Sequence, residues 1–347
     1  MTLKCFSILI SMAAAMGLLV QPAIAQNQTE TNDSWTAARQ PDGRPNLQGV
    51  WDFRTITPLQ RPEEFSDRAF LTEEDEATLV QRALDRQIDR PPPPGGVGGY
   101  NQFWMDRGTN VVEDRRTSLI VDPSNGRLPP LMPHALTQEG SLNADLPTEL
   151  PVRYRSGGMG ADGPEDRGLS ERCLLGFNTG PPMDPGGYNS NMQLFQTSDY
   201  VVILNEMVHD VRIVPLDGRS HLPGTILQWL GNSRGRWEGD TLIVETTNFT
   251  DKTASYELRE GSMRTALGTG KTLHLTERFS RVGQNTLHYE YTVTDPATFT
   301  QPFTVAIPMR LGNEAPIFEY ACHEGNYGML NILAGARAEE RSTAGSR

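Results

Sequence analysis

The side chains that a catalyst would need stand on short β-type runs in the second half of the chain. Side chains alternate faces along a strand, so run 272–281 puts Leu273, Leu275, Glu277 and Phe279 on one face and His274, Thr276, Arg278 and Ser280 on the other. Glu277 is therefore a carboxylate on an apolar face. If it lines a cavity, burial disfavours its charged form and raises its pKa toward the range where a carboxyl works as general acid or base. The plainer alternative is a partner for an arginine. Run 317–323 places Ile317, Glu319, Ala321 and His323 on one face, with Phe318, Tyr320 and Cys322 on the other. At ~3.3 Å per residue, Glu319 and His323 would stand about 13 Å apart, too far for a hydrogen bond. As an acid–base group His323 thus needs a partner from another strand, and Asp210, Glu277 and Tyr289 are the candidates in type.

A second constellation is His209-Asp210-Val211-Arg212, with His209, Val211 and Ile213 on one face and Asp210, Arg212 and Val214 on the other. Asp210 and Arg212 suit either a polar pocket wall or a same-face ion pair. Tyr289 and Tyr291 follow Leu287 on one face and offer hydroxyls to a cavity or to the core. Asn178, Tyr188, Asn189 and Asn191 form a polar cluster in a Gly-Pro-rich stretch, where they either close over a ligand or shape turns. Trp51, Asn178, Asn191, His209, Arg212 and Glu319 are the candidate ligand-binding residues. No serine-hydrolase elbow, phosphate-cradling glycine loop or dinucleotide fingerprint stands in a strand-to-helix context, and no CxxC or HExxH spacing occurs, so no cofactor and no metal ligand set is expected.

These residues require a sheet to hold them. From Gln193 to Glu324 short β runs recur, separated by turn chemistry such as Asp217-Gly218, Glu238-Gly239-Asp240 and Asp295-Pro296. The runs are 193–206, 208–215, 225–230, 241–248, 272–281, 286–294, 303–310 and 317–323, without helices of crossover length between them. That pattern excludes a parallel sheet and favours a closed antiparallel barrel or a sandwich. Gly49-Val50-Trp51-Asp52-Phe53 adds a strand near the start. A helix is expected over 71–88, with Thr72 as N-cap and Glu73, Glu74 and Asp75 at the positive end of its dipole. Arg90 and the Pro-Pro-Pro-Pro-Gly-Gly behind it end any regular element. The expected fold is one all-β domain over 46–335, a lipocalin-like barrel with short helices and a loop-rich insertion at 54–192. A flexible leader at 26–45 and a disordered tail at 336–347 flank it.

Glycine and proline, 33 and 25 of 347 residues, stay well below the share that marks low-complexity chains. A net charge of −12 argues against nucleic acid, whose binding needs a basic surface. Residues 1–25 read as a secretory signal: Lys4, an apolar run from Cys5 to Val20, then Ala23-Ile24-Ala25 as a small-x-small cleavage site. The run is short of the ~20 residues that span a bilayer, so no stable membrane insertion is expected and the mature chain is assigned to the periplasm or to secretion. Cys173 and Cys322 then remain. In an oxidising compartment they suit a disulfide, the alternatives being free thiols or a metal held with His323.

Gly49-Val50-Trp51 resembles the G-x-W first strand of lipocalin-like barrels, and the hairpin at Arg236–Leu242 looks like strand turns in the same group. The mature chain also resembles a widespread, uncharacterised family of exported bacterial proteins, through Asp42–Trp51, Ser170–Phe177 and Glu319–Tyr327. That resemblance implies export and the barrel, and it brings no activity with it. From the barrel follows the functional expectation, a small apolar or aromatic molecule bound in an internal pocket. The alternatives are a cofactor-independent isomerase, lyase or hydratase that uses His323, Glu277, Asp210 and Tyr289 in that pocket, and a metal-dependent hydrolase.

Overall fold

A computed structural model describes residues 35–91, 94, 102–133, 161–167, 169–176, 180–250, 254–260, 263–268, 272–312 and 316–345. The segment expected to be a signal, most of the expected leader and Asn178 lie outside the described residues. The strands are β1 (Gly49–Asp52), β2 (Ile120–Asp122), β3 (Asn191–Gln196), β4 (Tyr200–Asn205), β5 (Val211–Pro215), β6 (Asn232–Glu238), β7 (Thr241–Thr247), β8 (Ala254–Glu260), β9 (Met263–Gly268), β10 (His274–Gly283), β11 (Thr286–Thr294) and β12 (Phe303–Leu311). The helices are α1 (Glu73–Arg86) and α2 (Tyr327–Ala344).

Nine strands form a nearly closed antiparallel barrel in the order β5-β4-β3-β1-β12-β11-β10-β7-β6, with β2 added beside β12 and β8–β9 as a separate hairpin. The expected all-β barrel is the fold. Its first strand, β1, lies between β3 and β12, so Trp51 stands opposite both Met192 and Leu311. β5 and β6 stand side by side at the seam without a shared ladder. Gly235 of β6 sits there because a Cβ would come within 2.6 Å of Leu216 and 2.9 Å of Val214. A larger residue would push the two strands apart.

The alternation along β10, β11 and β12 turns one set of side chains inward. Leu275, Phe279, Leu287, Tyr289, Tyr291, Phe303, Val305 and Ile307 are all fully buried, and they join Trp51, Met192 and Val214 in one cluster. Trp51 donates its indole N–H to the carbonyl of Leu47 at 2.9 Å, and Arg281 lies over its ring at 4.9 Å. Met183, from the Gly-Pro-rich stretch, is also fully buried in this cluster.

Four expectations need correction. The leader is not loose up to residue 45: Arg39 pairs with Asp240 at 2.6 Å and Arg44 donates to the Ser198 carbonyl. Residues 225–230 form turns with one bridge, Gln228 to Phe249, because Pro223-Gly224 interrupts the run. Residues 317–323 are not a strand, since both edges of β12 are already taken by β1 and β11. The stretch expected to be a disordered tail from 336 is the second half of α2, an exposed helix rich in alanine and arginine.

Cys173 and Cys322 are joined by a disulfide across a sequence separation of 149. It fastens the segment after β12 to the mid-chain loop outside the barrel wall, and Tyr320 stacks on Tyr188 with ring centroids 6.5 Å apart. Among the described residues no helix is long and apolar enough to cross a membrane.

Candidate functional site

The structure divides the candidate residues into three groups. The first is a polar chain inside the barrel. Arg212 of β5 and Glu277 of β10 face each other across the interior, and both Nη groups of the arginine meet the carboxylate, one of them at 2.9 Å. Arg212 is 6% exposed and Glu277 fully buried, so the pair is dry. Tyr289, diagonal to Glu277 on β11, donates its hydroxyl to the same carboxylate at 2.8 Å and accepts the backbone N–H of Met183 at 3.1 Å. Burial, with the adjacent Glu277 charge, lifts the Tyr289 hydroxyl well above the usual phenol range. Burial would lower Arg212, but the Glu277 charge beside it wins and holds the guanidinium above its usual value.

Of the two readings of Glu277, the structure shows the arginine partner. The carboxylate is committed to three donors from two strands. Because β5 and β6 share no ladder, the pair also ties β5 to β10 from the inside.

The second group lies where the 180–190 segment meets the barrel. Tyr291 donates its hydroxyl to Asp184 at 2.5 Å. Burial pushes the Asp184 carboxyl up to about 6, although the Tyr291 bond pulls it the other way. Nearby in sequence, Asn191 donates to Glu206 at 2.8 Å. His209 is exposed, and its Nδ1 lies 3.0 Å from the Tyr320 carbonyl. Asp210 is half-buried. The Gly-Pro-rich stretch meets the barrel through Met183, bonded to Tyr289, and Asp184, bonded to Tyr291.

His323 and Glu319 are exposed on the loop after β12, in solvent, while Glu277 and Tyr289 are sealed in the barrel. The structure therefore does not assemble the acid–base set expected around His323. The reason is the one that removes the strand: residues 316–326 follow the disulfide outward instead of entering the sheet. Trp51, expected to touch a ligand, is spent in the core. Among the described residues no group of three or more His, Cys, Asp or Glu side chains is placed to hold a metal ion.

The third group was not among the expected site residues. A cleft of about 790 Å³ opens outside the barrel between α1, the segment leading into it, and residues 111–117. Ile56, Phe65, Leu71, Leu79, Ile88 and Val111 give it apolar walls, while Arg82, Arg86, Arg90 and Arg116 bring four positive charges and Asp85 one negative. Local chemistry holds α1 in place. Thr72 and Asp75 form a reciprocal capping box, Arg68 pairs with Asp75 at 2.8 Å, and Arg115 pairs with Glu76 at 2.6 Å.

The floor is anchored to the barrel. Leu119 and Ile120 donate to the carbonyls of Pro58 and Leu59, and Ala306 of β12 donates to Leu119. Arg116 donates to the Ala306 carbonyl and to Asp114, both at 2.6 Å, while its Nε is buried without a hydrogen-bond partner among the described residues. The readable signal for this site was Arg82, Arg86 and Arg90 at four-residue spacing, which puts Arg82 and Arg86 on the same helix face as Leu79.

No family model matches the chain, and neither a curated protein nor a solved structure matches it.

Proposed function

We propose that this protein binds a small, largely apolar molecule, and that the site is the cleft beside α1 rather than the barrel interior. What supports the reading is the contrast between the two spaces. The interior is taken up by a cluster of large side chains and a satisfied ion pair. The cleft has a volume within the range of small-molecule sites, apolar walls and a few polar groups. The barrel serves as the rigid frame that holds the floor of the cleft through β2 and β12. With the disulfide as support, we place the protein in an oxidising compartment outside the cytoplasm, in line with the signal expected at its start. The acid–base alternative is not carried further, since His323 is exposed while Glu277 and Tyr289 are sealed in the barrel.

The test is a fluorescence titration with the neutral apolar dye N-phenyl-1-naphthylamine. Saturable binding at one site per chain is expected, and Leu79→Glu with Ile88→Glu abolishes it while the thermal unfolding midpoint of the barrel holds. Ile88 is exposed and Leu79 half-buried, and neither belongs to the core cluster of the barrel, so the fold tolerates the change. Unsaturable binding, or binding that survives the double substitution, sinks the proposal.

A further inference from the structure

The cleft carries more than apolar walls, and resting on the reading just given, we infer that its ligand is an amphipathic anion, an apolar chain or ring system ending in a carboxylate. The charges decide this. The described lining holds Arg82, Arg86, Arg90 and Arg116 against Asp85 alone, in a chain whose net charge is −12. A local excess of positive charge on an acidic protein concentrates anions at that point and leaves the rest of the surface repelling them.

Two of the arginines, Arg82 and Arg86, are only weakly engaged by their neighbours. Arg82 stands 3.6 Å from Glu64, both about half exposed, a contact of little strength in water. Arg86 puts its Nε on the carbonyl of Arg82, which spends one donor, and no carboxylate pairs with it among the described residues. Arg116, 13% exposed, is paired with Asp114 and the Ala306 carbonyl and keeps only its Nε without a hydrogen-bond partner among the described residues. A guanidinium presents a planar fork of donors that fits a carboxylate, so several of them around an apolar trough select for a head group of that charge.

The apolar end of the ligand has a place as well. Ile88 lines the cleft and is 59% exposed, and Phe103 and Trp104, next to the lining residue Gln102, are 79% and 61% exposed in an edge-to-face pair. Exposed aromatics and aliphatics clustered at one margin of a cavity mark a binding surface. A long-chain acid would lay its tail along the apolar walls toward this margin, with its carboxylate among the arginines.

The experiment compares decanoate with 1-decanol, which share a tail and differ in the head, by displacement of the neutral dye from the full chain. Decanoate is expected to bind about tenfold more tightly than decanol, a preference that shrinks as salt screens the charges. Arg82→Gln/Arg86→Gln/Arg90→Gln brings the two affinities together, and the corresponding triple lysine variant restores part of the preference. Equal displacement by acid and alcohol in the unmodified protein overturns the anion inference and leaves the apolar site standing. Failure of both to displace a dye that does bind overturns the inference too, because the dye then occupies a place the tail cannot enter. Absence of dye binding brings down the cleft reading itself.

Discussion

The barrel interior and the cleft beside α1 both combine apolar walls with charged groups, yet they handle charge in opposite ways. Inside, Arg212 and Glu277 are matched one to one, share a bidentate contact and take Tyr289 as a third partner. In the cleft four arginines face one aspartate, and most of their contacts are to backbone carbonyls or to exposed carboxylates. A buried charge without a partner is costly, so an interior charge must be satisfied by the protein itself. A charge at a water-filled margin is satisfied by solvent, and remains available to something that displaces that solvent. Charged residues in the core therefore point to architecture, and unmatched ones at an apolar margin to a ligand.

The sharpest way to break this contrast is to remove half of the interior pair. Glu277→Ala strands the Arg212 guanidinium in the core and should cost about 3–5 kcal/mol, read as a fall in the urea midpoint, whereas Arg212→Met with Glu277→Leu should recover most of it. Dye binding to the cleft should be unchanged in the double variant. A loss below about 1 kcal/mol for Glu277→Ala would mean that the pair is hydrated, and the distinction between the two regions would fail.

Asp184 lies between the two situations and gives an intermediate effect. Its carboxyl is raised to about 6 in the folded chain. The folded state thus holds the proton at pH values where the unfolded chain has lost it. Stability that is present below the ordinary carboxylate range is lost as pH rises through about 6. Asp184→Asn keeps an acceptor for Tyr291 and should gain about 1–2 kcal/mol at pH near 8, with no gain near pH 4. An equal gain at both pH values would assign the effect to packing instead.

The smallest effect belongs to the cleft side. Thr72→Ala removes the capping box of α1 at a cost of about 1 kcal/mol, confined to the helix. Amide exchange in α1 should accelerate and decanoate affinity weaken severalfold, with the global unfolding midpoint in place. A matching drop in that midpoint would show that α1 and the barrel unfold as one unit.

Much of this is legible in the sequence. The alternation of Leu273, Leu275, Glu277 and Phe279 showed which face of β10 is inward, and Thr72 with the acidic turn behind it located α1. The 317–323 run misled because alternation says only that a segment suits a sheet, and no free edge of β12 remained for it. α2 has Met329, Ile332, Leu333 and Ala336 at helical spacing, but it buries no residue, and Gly328 and Gly335 within it weaken the signal. The cleft was hidden for another reason. Its walls come from residues 56–65, 79–90 and 111–117, stretches without a shared pattern that meet only when the loops fold back on β2.

The place of β1 between β3 and β12 has a consequence for how the chain comes into being. Trp51 meets Leu311 only after the chain through β12 has left the ribosome, so the cylinder cannot zip up in step with synthesis. Until then β1 is an orphan on that side, its aromatic anchor without a lining to enter, and the growing protein has no finished state to fall into. Such wiring delays maturation until the last ribbon arrives.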